Sequence, residues 1–186
     1  MKNKIIFLSV LFLLSAFAGA EDFFDFKNAP FLLNAAKRGQ TLTFVPDAPG
    51  SDRGIWRLTY TRKENKVNLA EMILKKEMPL PAFQKNLRIE MDLETGPRTR
   101  MVGIDMRLRD AKGEVGVVNG LKKWQSGKFT AVWTITPGQK IRYSWGRNVD
   151  KVLDMPAKIT NISFAMHKDN TGNLLIKNIR FIADAE

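Results

Sequence analysis

Apolar and polar positions alternate with period two along most of this chain. Trp56, Leu58 and Tyr60 share one side of the run Ile55–Tyr60. Leu87, Ile89, Met91 and Leu93 alternate with Arg88, Glu90 and Asp92. Ile104, Met106 and Leu108 alternate with Asp105, Arg107 and Arg109, and Phe129, Ala131, Trp133 and Ile135 repeat the pattern. Side chains on a strand point to opposite faces in turn, so these runs predict half-buried antiparallel strands. Thr41–Val45 is a short β-prone run, and further strands fit Lys140–Trp145, Lys158–Met166 and Asn173–Ala183. Turn residues separate them. Pro46–Gly54 is rich in Pro, Asp and Gly, and Asp110–Gly113 and Asp169–Gly172 read as tight hairpins. One stretch is ambiguous: Asn68 and Glu71 suit a capping box for a helix reaching Lys76, whereas Val67, Leu69 and Met72–Leu74 suit a strand. The strand is preferred, because Pro79 and Pro81 cut the segment short. About nine strands at short spacing predict an all-β antiparallel sandwich.

The first twenty residues stand apart. Lys2 and Lys4 precede the apolar run Ile5–Leu14, and Ala18-Gly19-Ala20 supplies small residues for cleavage. This predicts a secretory signal peptide over residues 1–20, since the run is too short to span a bilayer. Removing twenty of 186 residues leaves 166, from Glu21 to Glu186, enough for one domain with a real core. The chain has no cysteine. Packing alone must hold an exported fold, and thiol catalysis, thiolate metal sites and a lipid anchor on an N-terminal cysteine are excluded. A soluble, monomeric protein of the periplasm or the cell exterior is expected.

Loss of Lys2 and Lys4 lowers the formal charge from +11 to +9. Such a charge serves solubility, or attracts a polyanion. Nucleic acid fits poorly with export; acidic polysaccharide or an anionic cell surface fits better.

Little in the chain suggests catalysis. His167 is the only histidine, there is no Gly-x-Ser-x-Gly elbow, and one histidine without cysteine cannot make a His-rich metal site. Glu90 and Asp92 stand roughly 7 Å apart on one strand, but carboxylates on one strand point the same way, unlike a glycosidase pair. Solvent-facing charges account for them. Asp105, Arg107 and Arg109 make a better candidate. They share the face opposite Ile104, Met106 and Leu108, and suit either a polar floor for a sugar or carboxylate, or a solvated face with cross-strand ion pairs. Trp56 and Trp133 lie on apolar stripes and read as core. Trp124, within Lys122–Gly127, and Trp145, before Gly146, sit in polar settings where a sugar ring can stack, or where a ring simply packs at a rim. In residues 143–156, Gly146 permits a turn, Asp150 or Asp154 can brace it, and Arg147 stands beside Trp145.

The run Met106–Glu114 resembles the "R-x-x-D-A-x-G-E" strand and hairpin of bacterial carbohydrate-binding-module-like domains. Trp145-Gly146, Asp150-Lys151, Pro156, Ile159 and Ile162 resemble their "W-G-G … D-G … P-x-x-I-x-x-I" segment, and Asn173–Phe181 resembles their last core strand. The likeness covers most of residues 40–183. It implies a galactose-binding-like β-jelly roll that binds glycans without catalysis. Two positions depart from the pattern. Lys177-Asn178 replaces an acidic pair often used for a structural calcium, and Arg147 replaces the second Gly. A cofactor is therefore not expected, with loop carbonyls and Asp150 or Asp154 as the only calcium alternative. The leading expectation is a secreted glycan-binding domain that prefers acidic polysaccharide, using Asp105, Arg107, Arg109, Trp124, Trp145 and Arg147. The second is an envelope protein–protein module. The third is a jelly-roll lyase or glycosidase, although the "Q-x-H" strand of one lyase group is missing.

Overall fold

The computed structural model describes residues 21–22, 31–33, 40–51, 54–61, 68–97, 99–121, 123–167 and 171–184. The signal-peptide expectation concerns residues outside this set. Two antiparallel sheets of six strands each face one another. The first runs β3 (Gln40–Pro46), β4 (Gly54–Thr61), β12 (Thr171–Ala183), β6 (Leu87–Thr95), β9 (Lys128–Ile135), with β1 (Glu21–Asp22) also on β12. The second runs β10 (Ser144–Gly146), β8 (Glu114–Asn119), β7 (Arg100–Arg109), β11 (Lys158–His167), β5 (Asn68–Pro79), β2 (Phe31–Leu33). This is the all-β sandwich that the alternation predicts, and the ambiguous stretch is strand β5.

The apolar halves of the alternating runs meet between the sheets. Ile104, Met106 and Leu108 of β7 and Phe164 of β11 are fully buried against Leu87, Ile89 and Met91 of β6 and Trp133 of β9. Two bulges keep the pattern in register. Ile159 and Ile162 both face inward although three residues apart, because the β11 pairing shifts between Ile159 and Asn161. The same holds for Ile176 and Ile179 of β12. An extra residue in one strand turns the following side chains to the other face. Trp56 is only partly buried, packed at the edge of the core against Phe44.

Several sequence expectations need correction. β8 was not expected, because Val115, Gly116, Val117 and Val118 do not alternate. Its first half, Glu114 to Gly116, is buried on both faces, and a Cβ on Gly116 would sit 2.4 Å from Ile141 Cδ1. The strand expected over Lys140–Trp145 shrinks to β10, and Lys140 forms only an isolated bridge to Val152. Asp169–Gly172 is not a hairpin between paired strands: β11 and β12 lie in different sheets, and Gly172 is already within β12, opposite Tyr60. Residues 168–170 themselves lie outside the described set, as does the His167 side chain. Asp110–Gly113 is the hairpin expected, with Gly113 at φ 86° and Asp110 Oδ1 accepting from the Lys112 and Glu114 amides at 2.9 and 2.8 Å.

Glu90 is not solvent-facing. It is 8% exposed on the outer side of β6, where Arg180 of β12 holds it and Asp92 together. Arg180 Nη2 lies 2.9 Å from Glu90 Oε2 and 3.1 Å from Asp92 Oδ1, and Thr130 Oγ1 donates to Asp92 at 2.8 Å. The Arg180 hydrogen bond holds the Asp92 carboxyl below its ordinary value of 3.8. A carboxylate whose pKa falls on folding stabilises the fold above its unfolded value, and that stabilisation is lost as pH falls through the folded one. The melting temperature is therefore expected to drop below about pH 4, and Asp92→Asn to remove part of that dependence. Differential scanning calorimetry from pH 3 to pH 7 checks this; an Asp92→Asn profile parallel to wild type would refute it.

Candidate functional site

The outer face of the second sheet carries a shallow groove of about 260 Å³. Trp145 of β10, Val115 of β8, Arg107 and Arg109 of β7, Thr160 and Asn161 of β11, and Glu71 and Ile73 of β5 line it. The register explains the grouping. Trp145 pairs with Val115, and Val115 with Arg109; Val117 pairs with Arg107, Arg107 with Asn161, and Asn161 with Ile73. Four strand-to-strand steps separate Trp145 from Ile73, roughly 19 Å. The β11 bulge presents Thr160 and Asn161 here while Ile159 and Ile162 stay in the core.

The floor is a hydrogen-bonded network. Arg107 Nη1 lies 2.6 Å from Glu71 Oε1, and Asn161 Nδ2 and Ser163 Oγ also donate to that carboxylate. Thr160 Oγ1 donates to Asn161 Oδ1 at 2.7 Å. Arg109 Nε donates to Glu77 Oε1 at 2.7 Å. Arg107 Cζ also stands 5.2 Å from the centre of the Trp145 ring, within cation–π range. Trp145 remains 44% exposed. Each arginine thus has a carboxylate beside it, so the groove is close to neutral while presenting donors and acceptors side by side.

Asp105 lies one row further along β7, beside Asn119, whose Nδ2 donates to it at 2.9 Å. Burial raises its pKa, against the Asn119 hydrogen bond and the Arg107 charge. It does not line the groove. Arg147 is exposed, its amide 3.3 Å from the Gly113 carbonyl, and it is held to the β7–β8 hairpin outside the groove lining. Trp124 is 59% exposed beside Arg100. It sits at the opposite end of β7 from Arg109, roughly 30 Å away along the strand. Of the six residues the sequence singled out, the fold brings Arg107, Arg109 and Trp145 together. Glu71, Ile73, Thr160 and Asn161 were missed; Glu71 was visible only as a candidate helix cap.

The segment after β10 is clamped. Gly146 has φ 111°, and a Cβ there would lie 2.7 Å from the Gly113 carbonyl oxygen. Asp150 braces the turn as expected, its Oδ1 accepting from the Val152 amide at 2.9 Å. Asp154 instead faces the Lys112 ammonium, at 2.9 Å, which also meets Asp150 at 2.8 Å. Those two hydrogen bonds push the Lys112 pKa up, and Lys112 holds Asp150 below its ordinary value. These residues do not fit a calcium ion: a lysine occupies the centre of the cluster. Lys177, at the other position considered, pairs with Glu94. Among the described residues no group of three or more His, Asp or Glu side chains is placed to hold a metal.

No protein-family model and no curated protein sequence matches the chain. Solved structures do. The family 11 carbohydrate-binding module of a cellulosomal cellulase of Clostridium thermocellum superposes with TM-score 0.57 at 17% identity, over 90% of this chain and 96% of that one. The family 11 module from Clostridium thermocellum in complex with a β-1,3-1,4-mixed-linked tetrasaccharide gives 0.55 at 17% identity, over 89% and 95%. The fold is that of a carbohydrate-binding module. An exo-β-agarase gives TM-score 0.52 at 14% identity, over 90% of this chain but 26% of its own. The matched region is thus one part of the agarase chain, as the family 11 module is one part of its cellulase. Among the described residues no helix is long and apolar enough to cross a membrane.

Proposed function

We propose that this chain is an exported, non-catalytic glycan-binding protein, and that the groove on the outer face of the second sheet takes a short segment of polysaccharide. The observation that carries the reading is Trp145: a half-exposed ring at one end of a hydrogen-bonded polar floor. Sugars present CH groups to an aromatic face and hydroxyls to paired donors and acceptors, and the groove offers both. Its volume is small beside cavities of ~300–1,000 Å³ that enclose a drug-sized ligand, which suits a polymer lying across an open surface. Asp105 and Arg147 border the site on this reading and contact flanking sugars.

Ion pairing changes the expected ligand. With Arg107 on Glu71 and Arg109 on Glu77, the groove attracts hydroxyls more than carboxylates. A β-1,3-1,4-mixed-linked glycan is the first candidate, by similarity to the ligand of the Clostridium module. Export is supported by the Lys2–Ala20 pattern; N-terminal sequencing of secreted protein is expected to begin at Glu21.

Affinity electrophoresis through gels containing β-1,3-1,4-glucan, agarose-derived glycans, polygalacturonate or dextran sulfate tests the function. Retardation by at least one neutral glycan, unchanged in high salt, is expected. Free migration through every gel would replace this reading with the envelope protein–protein module.

A further inference from the structure

We infer that the β8–β9 connection carries a second binding site, separate from the groove, for an anionic polysaccharide. Two cavities open here, of about 550 and 270 Å³, and Gln125 lines both. Trp124 and Arg100 line the smaller; Lys123, Thr130 and Thr134 line the larger. Leu121–Lys128 carries three lysines and no acid.

The cations differ in kind from those of the groove. Arg107 and Arg109 are each committed to a carboxylate, whereas Arg100 and Lys123 are exposed and form no ion pair with a described residue. The carboxylates that reach this side are already held, Asp92 by Arg180 and Glu94 by Lys177, with Lys128 adding a second positive charge near Glu94. A positive surface on which no described carboxylate pairs with Arg100 or Lys123 is what a uronate or sulfate group needs, and the exposed Trp124 ring beside it suits the apolar face of the same sugar. A neutral sugar gains nothing from these positive charges, and export disfavours nucleic acid as the occupant.

Both ends of the connection are anchored. The Gly120 amide donates to the Ile104 carbonyl at 2.8 Å, and the Leu121 amide to Asn119 Oδ1 at 2.7 Å. Gln125 exchanges both backbone hydrogen bonds with Met101, at 2.8 and 3.0 Å, and the Gly127 amide donates to Thr95 Oγ1 at 2.8 Å. Lys123 and Trp124 thus project from a backbone fixed on both sides, so binding does not have to order the loop.

Protein isolated from cells expressing the full chain is run through gels containing polygalacturonate or dextran sulfate. Retardation of wild type is expected, with apparent affinity reduced about tenfold or more in Arg100→Glu/Lys123→Glu at low salt. Trp124→Ala is expected to weaken binding about threefold or more, and still to do so in high salt. Trp145→Ala is expected to leave polyanion retardation intact, which separates this site from the groove. Circular dichroism confirms that each variant is folded. The inference is overturned if neither polyanion retards wild type, if charge reversal changes nothing, or if Trp145→Ala removes the effect. It is equally overturned if a single-stranded oligonucleotide binds as tightly and responds to the same substitutions.

Discussion

Trp145→Ala is expected to weaken glycan binding by about 1–2 kcal/mol, a five- to thirtyfold rise in Kd, without unfolding the protein. The ring stands at the end of the groove and 44% of the residue is exposed, so the area available to a sugar is about half of what a tryptophan can bury. Trp145 is not part of the buried cluster between the sheets, which leaves the melting temperature little changed. The loss is expected to persist at 1 M NaCl, because stacking carries no net charge to be screened and the arginines beneath it are already paired. Arg107→Ala makes an informative contrast. It removes the guanidinium from the ring and takes the Arg107 charge from Glu71, which keeps Asn161 and Ser163 as donors in a half-buried setting. Both stability and binding are expected to fall. Isothermal titration with the best glycan, at two salt concentrations, checks the pair. Undiminished affinity in Trp145→Ala would move the site away from this groove.

The sandwich was legible because half of each strand is apolar. Leu87–Leu93 and Ile104–Leu108 alternate without exception, and the core uses those residues. β8 was not legible for the converse reason: it is buried on both faces at its start, where no alternation can be read. Candidate chemistry followed the same division. That Asp105, Arg107 and Arg109 leave the core together follows from period two alone. That Arg107 meets Glu71, 36 positions earlier, depends on β11 lying between β7 and β5 and on a one-residue bulge within it. No local pattern carries that register. The sequence left two readings of the arginine row open, a polar floor or cross-strand ion pairs, and only the register supplies the partners, Glu71 for Arg107 and Glu77 for Arg109. Trp124 and Trp145 looked alike as tryptophans in polar settings, yet Trp145 ends against arginines paired with carboxylates and Trp124 beside Arg100, which pairs with no described carboxylate.

Glu114→Ala is expected to have the largest effect on stability, about 3 kcal/mol, and to reach binding as well. Glu114 opens β8 and is completely buried. Its carboxylate accepts from the Asp150 amide at 2.9 Å and from the Lys151 amide at 3.1 and 3.2 Å. These bonds tie down a stretch with three residues at positive φ: Gly146 at 111°, Asn148 at 49° and Lys151 at 62°. A non-glycine residue in the left-handed region costs of order 1 kcal/mol or more, so the loop keeps this shape only while its clamps hold. Removal of the carboxylate takes the acceptor from two partly buried backbone bonds, and opens a cavity where the side chain stood. Because Gly146 pairs with Glu114, and Trp145 with Val115, the ring is anchored by the same short ladder. Release of the loop is expected to leave Trp145 without a fixed orientation, so glycan affinity falls together with melting temperature. Glu114→Gln keeps one acceptor oxygen but sets an NH2 group against an amide donor, and is expected to lie between wild type and Glu114→Ala on both measures. Thermal denaturation and affinity electrophoresis on the three proteins test the coupling: a Glu114→Ala protein with lowered stability but full affinity would show that the groove does not depend on this clamp.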